Sequence, residues 1–476
     1  MIDDQRDVIA FLSEPSSYGP AIERVDIIET HVSLVFLAGD RAYKLKRAVK
    51  YPYLDFSTVD ERRRACETEL ALNRRTAPTL YLEVRALSRM LGGKIGFAGS
   101  GPAIDWLVVI FHAMAERRFD CGGATALTDI IETNHRCLMA AQNAGFAPEC
   151  INEIRENSLQ RLAAIGGLLD RRRAEGRVRR CHGDLHLRNI CLLDGRPTLF
   201  DCLEFSDSLA SIDVLYDLAF LLMDLEHRGL TDFSNPVLNR YFDLTDEDDG
   251  LPAMPLFLSL RAAIRAHVTA MAMDRAAPAE SRLEKAVEAR RYLELAARLL
   301  RPRPCRLVAI GGLSGSGKST LAAALARGIG ARILRSDVIR KRLFGAAPET
   351  RLPAGAYTTE VSRRIYEALR QKAGAALAAG YSVIIDAVSL KPEERRSFAA
   401  VAEAAAVPFW GLWLAAPALT MEARLRARRH DASDASPEVL AQQLGQEAGP
   451  MDWMVIDASP GLEDCLAAAR RALALG

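Results

Sequence analysis

The run Gly312-Leu313-Ser314-Gly315-Ser316-Gly317-Lys318-Ser319-Thr320 has the residue types of a phosphate cradle. Glycines let a backbone approach an anion closely and adopt turns closed to residues with a Cβ. An apolar strand, Leu307–Ile310, precedes the run. A helix opens near Lys318, with Leu321 and Leu325 on one face. Backbone N–H groups in such a loop surround phosphate oxygens, and the helix N-terminus adds a favourable dipole. In this pattern Lys318 reaches the β- and γ-phosphates of a nucleotide, and Ser319 ligates Mg²⁺.

Two aspartates follow later strands. Asp386 comes after Ser382–Ile385, and Asp337 after Arg332–Leu334. Ligands of open α/β sheets bind at the carboxyl ends of strands, so both acids are expected near the phosphates. Asp386 suits a group holding Mg²⁺ or its water shell. Asp337 suits a group that accepts a substrate hydroxyl proton. Each could instead cap a helix N-terminus. A helix over Met421–His430 carries Arg424 and Arg428 one turn apart, with Arg426 and Arg429 beside them. It reads either as a lid that brings arginine to phosphate or as a solvated face.

A second constellation lies upstream at His182-Gly183-Asp184-Leu185-His186-Leu187-Arg188-Asn189. Asp184 and Asn189 stand five positions apart. That spacing lets an aspartate face an acceptor hydroxyl while an asparagine reaches a metal. Ile190–Leu193, the turn Asp194-Gly195 and Thr198–Asp201 read as a β-hairpin, which returns Asp201 beside Asn189. Both could then hold Mg²⁺. Further upstream, Lys44 and Lys46 share one face of a strand over Arg41–Lys46. Either presents a lysine to ATP, with Lys44 favoured. The partner is a helix glutamate, Glu69 or alternatively Glu67. Asp213, Asp217, His182 and His186 read as loop anchors.

These groups need rigid elements. The 476 residues are too many for one core, and Arg301-Pro302-Arg303-Pro304 interrupts a helical stretch. The expected division is therefore 1–300 and 301–476. The first part begins with strands and one helix, Val59–Arg75, and continues with long helices at Pro255–Met273 and Ser281–Leu300. The second alternates strands and helices, with further strands at Phe409–Leu414 and Trp453–Ile456. That alternation gives a parallel sheet with helices on both faces. The chain is 49 % hydrophobic and 26 % charged, with a formal net charge of +1, which gives no electrostatic case for nucleic acid or anionic lipid. Nine cysteines without a C-x-x-C pair point to a reducing compartment. No charged-then-apolar leader is seen at the N-terminus, and the apolar stretch Val214–Leu225 is broken by Asp217 and Asp224. A cytoplasmic protein without a membrane span is expected.

Over about residues 305–476, the loop together with Arg335-Ser336-Asp337-Val-Ile-Arg-Lys and Val383-Ile-Ile-Asp386-Ala resembles the P-loop kinases of small molecules and nucleic-acid ends. Gluconate kinase, polynucleotide kinase and the zeta toxins belong to that set. Over about residues 20–300, His182–Asn189, Phe200-Asp201-Cys-Leu-Glu-Phe205 and Tyr216-Asp217-Leu-Ala resemble the aminoglycoside phosphotransferase and choline kinase branch of the protein-kinase-like fold. The whole is similar to a bacterial fusion of these two domains. The resemblance implies a bilobal N-terminal domain with ATP between its lobes, Mg²⁺ on Asn189 and Asp201, and Asp184 as base. For the C-terminal domain it implies ATP-dependent phosphorylation of a hydroxyl. The acceptors are expected to be small molecules, with neither nucleic acid nor membrane as partner; the oligomeric state is not legible. Two departures stand out. Glu29-Thr-His-Val-Ser33 occupies the hairpin where a Gly-rich loop is usual, and Asp201-Cys-Leu-Glu204 replaces Asp-Phe-Gly. The first motivates an alternative in which the N-terminal domain only senses nucleotide. A toxin-like kinase of a nucleotide sugar or RNA end is a further alternative. Aminoglycosides, being polycations, need clustered acids. The run Asp246-Glu247-Asp248-Asp249 could supply them or be a solvated loop.

Overall fold

A computed structural model describes the chain except residues 1–2, 20–21, 30–31, 39–40, 52–53, 74–80, 82–83, 90–94, 98–102, 109–117, 194–195, 204–205, 274–278, 429–430, 460 and 475–476. The turn positions Asp194 and Gly195, the acid Glu204 and the arginine Arg429 therefore lie outside the described residues. The chain forms two compact units. One comprises Met1–Asp224 and Pro255–Leu300; the other comprises Leu225–Met254 and Arg301–Gly476.

In the first unit, Ser33–Ala38 and Arg41–Lys46 pair antiparallel, so Lys44 lies opposite Val35 and Lys46 opposite Ser33. Lys44 also pairs with Val108 of the strand Ala103–Val108. Alternation along Arg41–Lys46 buries Tyr43 and Leu45 against Leu34, Phe36 and the helix Arg6–Ser13. The opposite face is thereby left to the two lysines. The helix Val59–Asn73 buries Ala65, Cys66, Glu69 and Asn73 on one side. Ile190–Leu193 forms a hairpin with Arg196–Leu199, two residues earlier than the expected Thr198–Asp201, so Asp201 follows the second strand. Cys202 is buried, whereas Cys181 and Cys191 are half-buried.

Met254–Met273 is the apolar helix of greatest interest, rather than Val214–His227. By length and composition the helical stretch Asp248–Met273 that contains it could cross a bilayer, and 67 % of its most apolar window is buried inside the protein. His267 on this helix contacts Asn134 Oδ1 through Nε2 at 3.2 Å. Burial, with the charge of Arg265, pushes its imidazole from 6.5 down to about 4. The unfolded chain therefore binds the proton first as pH falls. Stability from neutral His267 is complete above 6.5 and is lost on the way down to about 4, by up to about 3 kcal/mol. We expect His267→Gln to flatten the urea midpoint between pH 7.5 and 4.5; an unchanged acid slope would show that this histidine does not set it.

The second unit holds a five-stranded parallel sheet in the order Arg332–Arg335, Val383–Asp386, Leu307–Gly312, Phe409–Ala415, Met454–Asp457. All six residues of the central strand are buried, as a sheet covered on both faces requires. Leu321, Leu325, Cys465 and Ala469 from the helices Lys318–Ile329 and Leu462–Ala472 pack on Val308, Ile310, Leu412 and Ile456. The helices Thr359–Ala378 and Pro392–Ala404 pack together, with Tyr366 stacked on Phe398 at 5.7 Å.

Residues 225–254 pack with the C-terminal unit. The helix Thr231–Thr245 covers the sheet edge formed by Arg332–Arg335. Asn239 Oδ1 accepts the Ile333 N–H at 2.7 Å, and Asn235 and Asn239 amides donate to the Ala331 carbonyl at 2.9 and 3.0 Å. An uncovered edge strand would leave these groups unpaired. The acidic run lies in this contact. Asp248 pairs with Arg332 at 2.7 Å and Lys372 at 3.0 Å, Asp246 pairs with Arg342 at 2.5 Å, and Glu247 is buried. Glu247 and Asp248 are therefore enclosed, whereas Asp246 and Asp249 stay exposed. Arg332 also reaches Asp243 at 2.8 Å, and its side chain is 2 % exposed. Truncating one member of a buried charge cluster strands the rest and costs about 3–5 kcal/mol. We expect Arg332→Met to lose stability on that scale in equilibrium unfolding. A loss under about 1 kcal/mol would mean the cluster does not hold the segment.

Candidate functional site

The first unit gathers its chemistry around Glu69. Lys44 Nζ donates to Glu69 Oε1 at 2.9 Å and is ion-paired with Asp201. Lys46 is ion-paired with the other Glu69 oxygen. Lys46 and Glu69 are fully buried side chains, whereas Lys44 is 13 % exposed. Lys44 is thus the lysine that meets Asp201, with Lys46 behind it. Glu67 faces away and pairs with Arg63 at 2.8 Å.

The loop from His182 to Asn189 is fixed through its backbone. Asp217 accepts the His182 and Gly183 N–H groups at 2.9 Å each, and Asp224 accepts that of Leu187 at 2.9 Å. Asp213 instead takes a fork from buried Arg172 at 2.8 and 3.0 Å. Asn189 Nδ2 donates to the Asp184 carbonyl at 2.9 Å, to its carboxylate at 3.1 Å and to the Asp201 carbonyl at 3.4 Å. Asp184, Asn189 and Asp201 therefore lie together. Burial pushes the Asp184 carboxyl up, but the hydrogen bond and charge of His186, with Arg265 and His182, hold it well below the usual range. Burial likewise raises Asp201, and the charge and hydrogen bond of Lys44 outweigh it.

Sequence reasoning missed three supports. The Asp201 N–H donates to Tyr81 Oη at 2.6 Å, and the Cys202 N–H to Asn73 Oδ1 at 2.7 Å. These contacts hold Asp201 at φ +58°, a left-handed conformation that few side chains adopt unaided. Asn73 was findable, because it lies four residues after Glu69 on one helical face. Tyr81 carries no such signal. Asp224 stands out in the sequence only as an interruption of an apolar run.

In the second unit the glycine loop joins the central strand to the helix Lys318–Ile329. Gly312 sits at φ +137°, and a Cβ there would lie 2.5 Å from the Leu414 carbonyl oxygen. A Cβ on Gly315 would lie 2.5 Å from that of Met421. No side chain fits at either position. Lys318 Nζ donates to the Leu313 carbonyl at 3.0 Å. Burial lowers its pKa, against the pull of Asp386 and Asp337. Ser319 Oγ donates to Asp386 Oδ2 at 2.6 Å. Burial raises Asp337, and the charge of Asp386 adds to it.

A cavity of 1460 Å³ runs along this loop, lined by Ser314–Leu321, Asp337, Asp386, Arg424 and Arg428 among others. Leu313 packs beside Met421 and Leu425. The helix expected over Met421–His430 spans Ala418–Ala427, with Arg428 as its C-cap. Arg424 donates to the carbonyls of Ser316 at 3.4 Å and Ala458 at 2.8 Å, so it braces the loop. Gln443, unforeseen, accepts the Ser314 N–H at 2.8 Å. Among the described residues no three His, Cys, Asp or Glu groups form a metal cage.

Comparison with known families gives two matches: the Phosphotransferase enzyme family over residues 130–256 and the AAA domain over residues 307–450. The uncharacterized protein Rv2004c of Mycobacterium tuberculosis is 31 % identical over 462 residues, covering 90 % of this chain and 91 % of its own length. The uncharacterized protein Mb2027c of Mycobacterium bovis matches to the same extent. The chain belongs to their family. It is a fusion of a phosphotransferase-family domain and a P-loop kinase domain. The first match ends at residue 256 and so includes the segment Leu225–Met254 that packs with the P-loop unit. Among solved structures, a sugar kinase from Janibacter sp. HTCC2649 is 28 % identical, covering 36 % of this chain and 96 % of its own at a TM-score of 0.30. A gluconokinase from Sinorhizobium meliloti 1021 is 21 % identical, covering 37 % and 94 % at 0.28. The APS kinase CysC of Mycobacterium tuberculosis is 23 % identical, covering 37 % and 98 % at 0.24.

Proposed function

We propose that the chain is an ATP-dependent phosphotransferase with two nucleotide sites, each passing the γ-phosphoryl group to a hydroxyl of a small molecule. The observation that carries this reading is the repetition of one charge plan in each unit. Lys44 stands against Glu69 and Asp201 beside Asp184 and Asn189, and Lys318 stands beside the Ser319–Asp386 pair and Asp337.

In the first unit Lys44 would bind phosphate, with Glu69 holding it in place. Asn189 commits its Nδ2 to Asp184, which leaves its Oδ1, with the Asp201 carboxylate that Lys44 already pairs with, as the groups that would face Mg²⁺. In the second unit the amides and side chains of Gly312–Thr320 would cradle the triphosphate, with Ser319 and Asp386 toward Mg²⁺ and Arg424 and Arg428 nearby. Bound Mg²⁺ supplies neutralisation of phosphate charge. At each site the acceptor oxygen bonds to the γ-phosphorus as the bond to ADP breaks, and the hydroxyl proton passes to a carboxylate. Asp337, raised by burial, is the stronger base. Asp184, held low, remains ionised and chiefly orients the hydroxyl. The cavity of 1460 Å³ has room for a nucleotide and a small acceptor together. Engagement of Asp246 and Asp248 with Arg342, Arg332 and Lys372 weakens the case for this run as the site of an aminoglycoside acceptor.

The test is transfer of label from γ-labelled ATP, with Mg²⁺, into a fractionated small-metabolite extract by the full chain. Two product classes separable by single-site variants are expected. Absence of any labelled product and of any ATP turnover would overturn the reading.

A further inference from the structure

Arg335 and Asp431 have no part in the roles above, yet they complete a polar chain at the heart of the P-loop site. Parallel register sets Arg335 beside Asp386 on the neighbouring strand. Arg335 Nε lies 3.4 Å from Asp386 Oδ2, the oxygen that accepts from Ser319. Arg335 Nη2 donates to Ser319 Oγ at 3.2 Å and to Asp431 Oδ1 at 2.8 Å. The serine and aspartate that would face Mg²⁺ are thus tied to each other and to a cation. A divalent ion at Ser319 and Asp386 would compete with this guanidinium for the same carboxylate and repel its charge. Arg335 has a second carboxylate already in contact. Asp431 is itself fixed by the Ser433 N–H at 2.9 Å. It lies in the stretch between the helices Ala418–Ala427 and Pro437–Leu444, where Asp434 also pairs with buried Lys341 and accepts the Leu352 N–H at 2.9 Å.

We infer that Arg335 is a resident counter-ion, holding Ser319 and Asp386 in the metal's stead and passing wholly to Asp431 when metal binds. Metal loading is thereby coupled to the segment that follows the arginine-bearing helix. This inference rests on reading the site as one for Mg²⁺ and nucleotide. It makes Arg335 a positioning residue and not a ligand of phosphate.

The two charges give opposite signs when removed. With the full chain and ADP, Mn²⁺ affinity read by electron paramagnetic resonance should tighten about tenfold in Arg335→Gln, because a competing cation is gone. It should weaken about threefold or more in Asp431→Asn, because Arg335 loses its alternative partner. The tightening should shrink as salt is raised. A merely structural Arg335 would weaken metal binding in both variants, and that result would overturn the inference, as would an unchanged affinity in Arg335→Gln. Asp431→Asn keeps the test decisive should Arg335→Gln fail to fold: tightening or no change there also overturns it. Failure of the wild type to bind Mn²⁺ with ADP would instead remove the nucleotide reading of the site, and this inference with it.

Discussion

Lys318→Ala will lower phosphoryl transfer at the P-loop site by about 10²–10³-fold and leave the product of the other unit unchanged. The lysine is half-buried in the cavity wall, and burial works against its charge. Asp386 and Asp337 sustain that charge before any nucleotide arrives. Its present hydrogen bond, to the Leu313 carbonyl, is one that any ammonium could make with a loop backbone. The preorganised cation gains its full value only against the triphosphate, in a site partly shielded from water. Arginine is no substitute, since its planar fork differs in reach from a compact ammonium. Single-turnover transfer with labelled ATP separates the chemical step from binding. A loss confined to ATP affinity, with an unchanged rate at saturation, would place Lys318 in uniform binding rather than transition-state stabilisation. An equal loss of both labelled products would mean that the two sites are not independent.

How much of this was legible before a structure depended on how local each feature is. The five strands of the P-loop unit lie within two residues of their expected bounds, because each is a short apolar run set off by helix formers. The glycine loop, Asp337 and Asp386 could be placed because strand ends in a parallel sheet converge on one edge. The choice between Lys44 and Lys46 was not legible. Both face the same side of one strand, and only the Lys44 ion pair with Asp201, 157 residues away, separates them. Nor could the packing of Leu225–Met254 be read. Asn235, Asn239, Asp243 and Asp248 look like an ordinary polar helix and turn until the edge strand at Ile333 and the buried Arg332 are brought to them. Arg335 was visible only as the first residue of a motif. Its contacts with Ser319 and Asp431 span 16 and 96 positions.

Asp184→Asn is the corresponding expectation for the first unit, with a fall of about 10²–10⁴-fold in its transfer step. The substitution keeps shape and removes charge. Asn189 Nδ2 now donates to the Asp184 carboxylate at 3.1 Å, and an amide oxygen can still accept there. The loop should stay in place, because Asp217 and Asp224 hold its backbone independently. Lost activity with an unchanged melting temperature would therefore report on chemistry, not folding. The pH profile offers a second reading. Since His186, Arg265 and His182 keep Asp184 ionised, its protonation should contribute no acid limb near neutrality. Asp337 is shifted the other way by burial, so an acid limb is expected first at the P-loop site. If Asp184→Asn leaves every product unaltered while the first unit still binds Mg·ATP, the carboxylate serves a nucleotide sensor. The absence of a glycine-rich cover in Glu29–Ser33 would then explain why binding there does not lead to transfer.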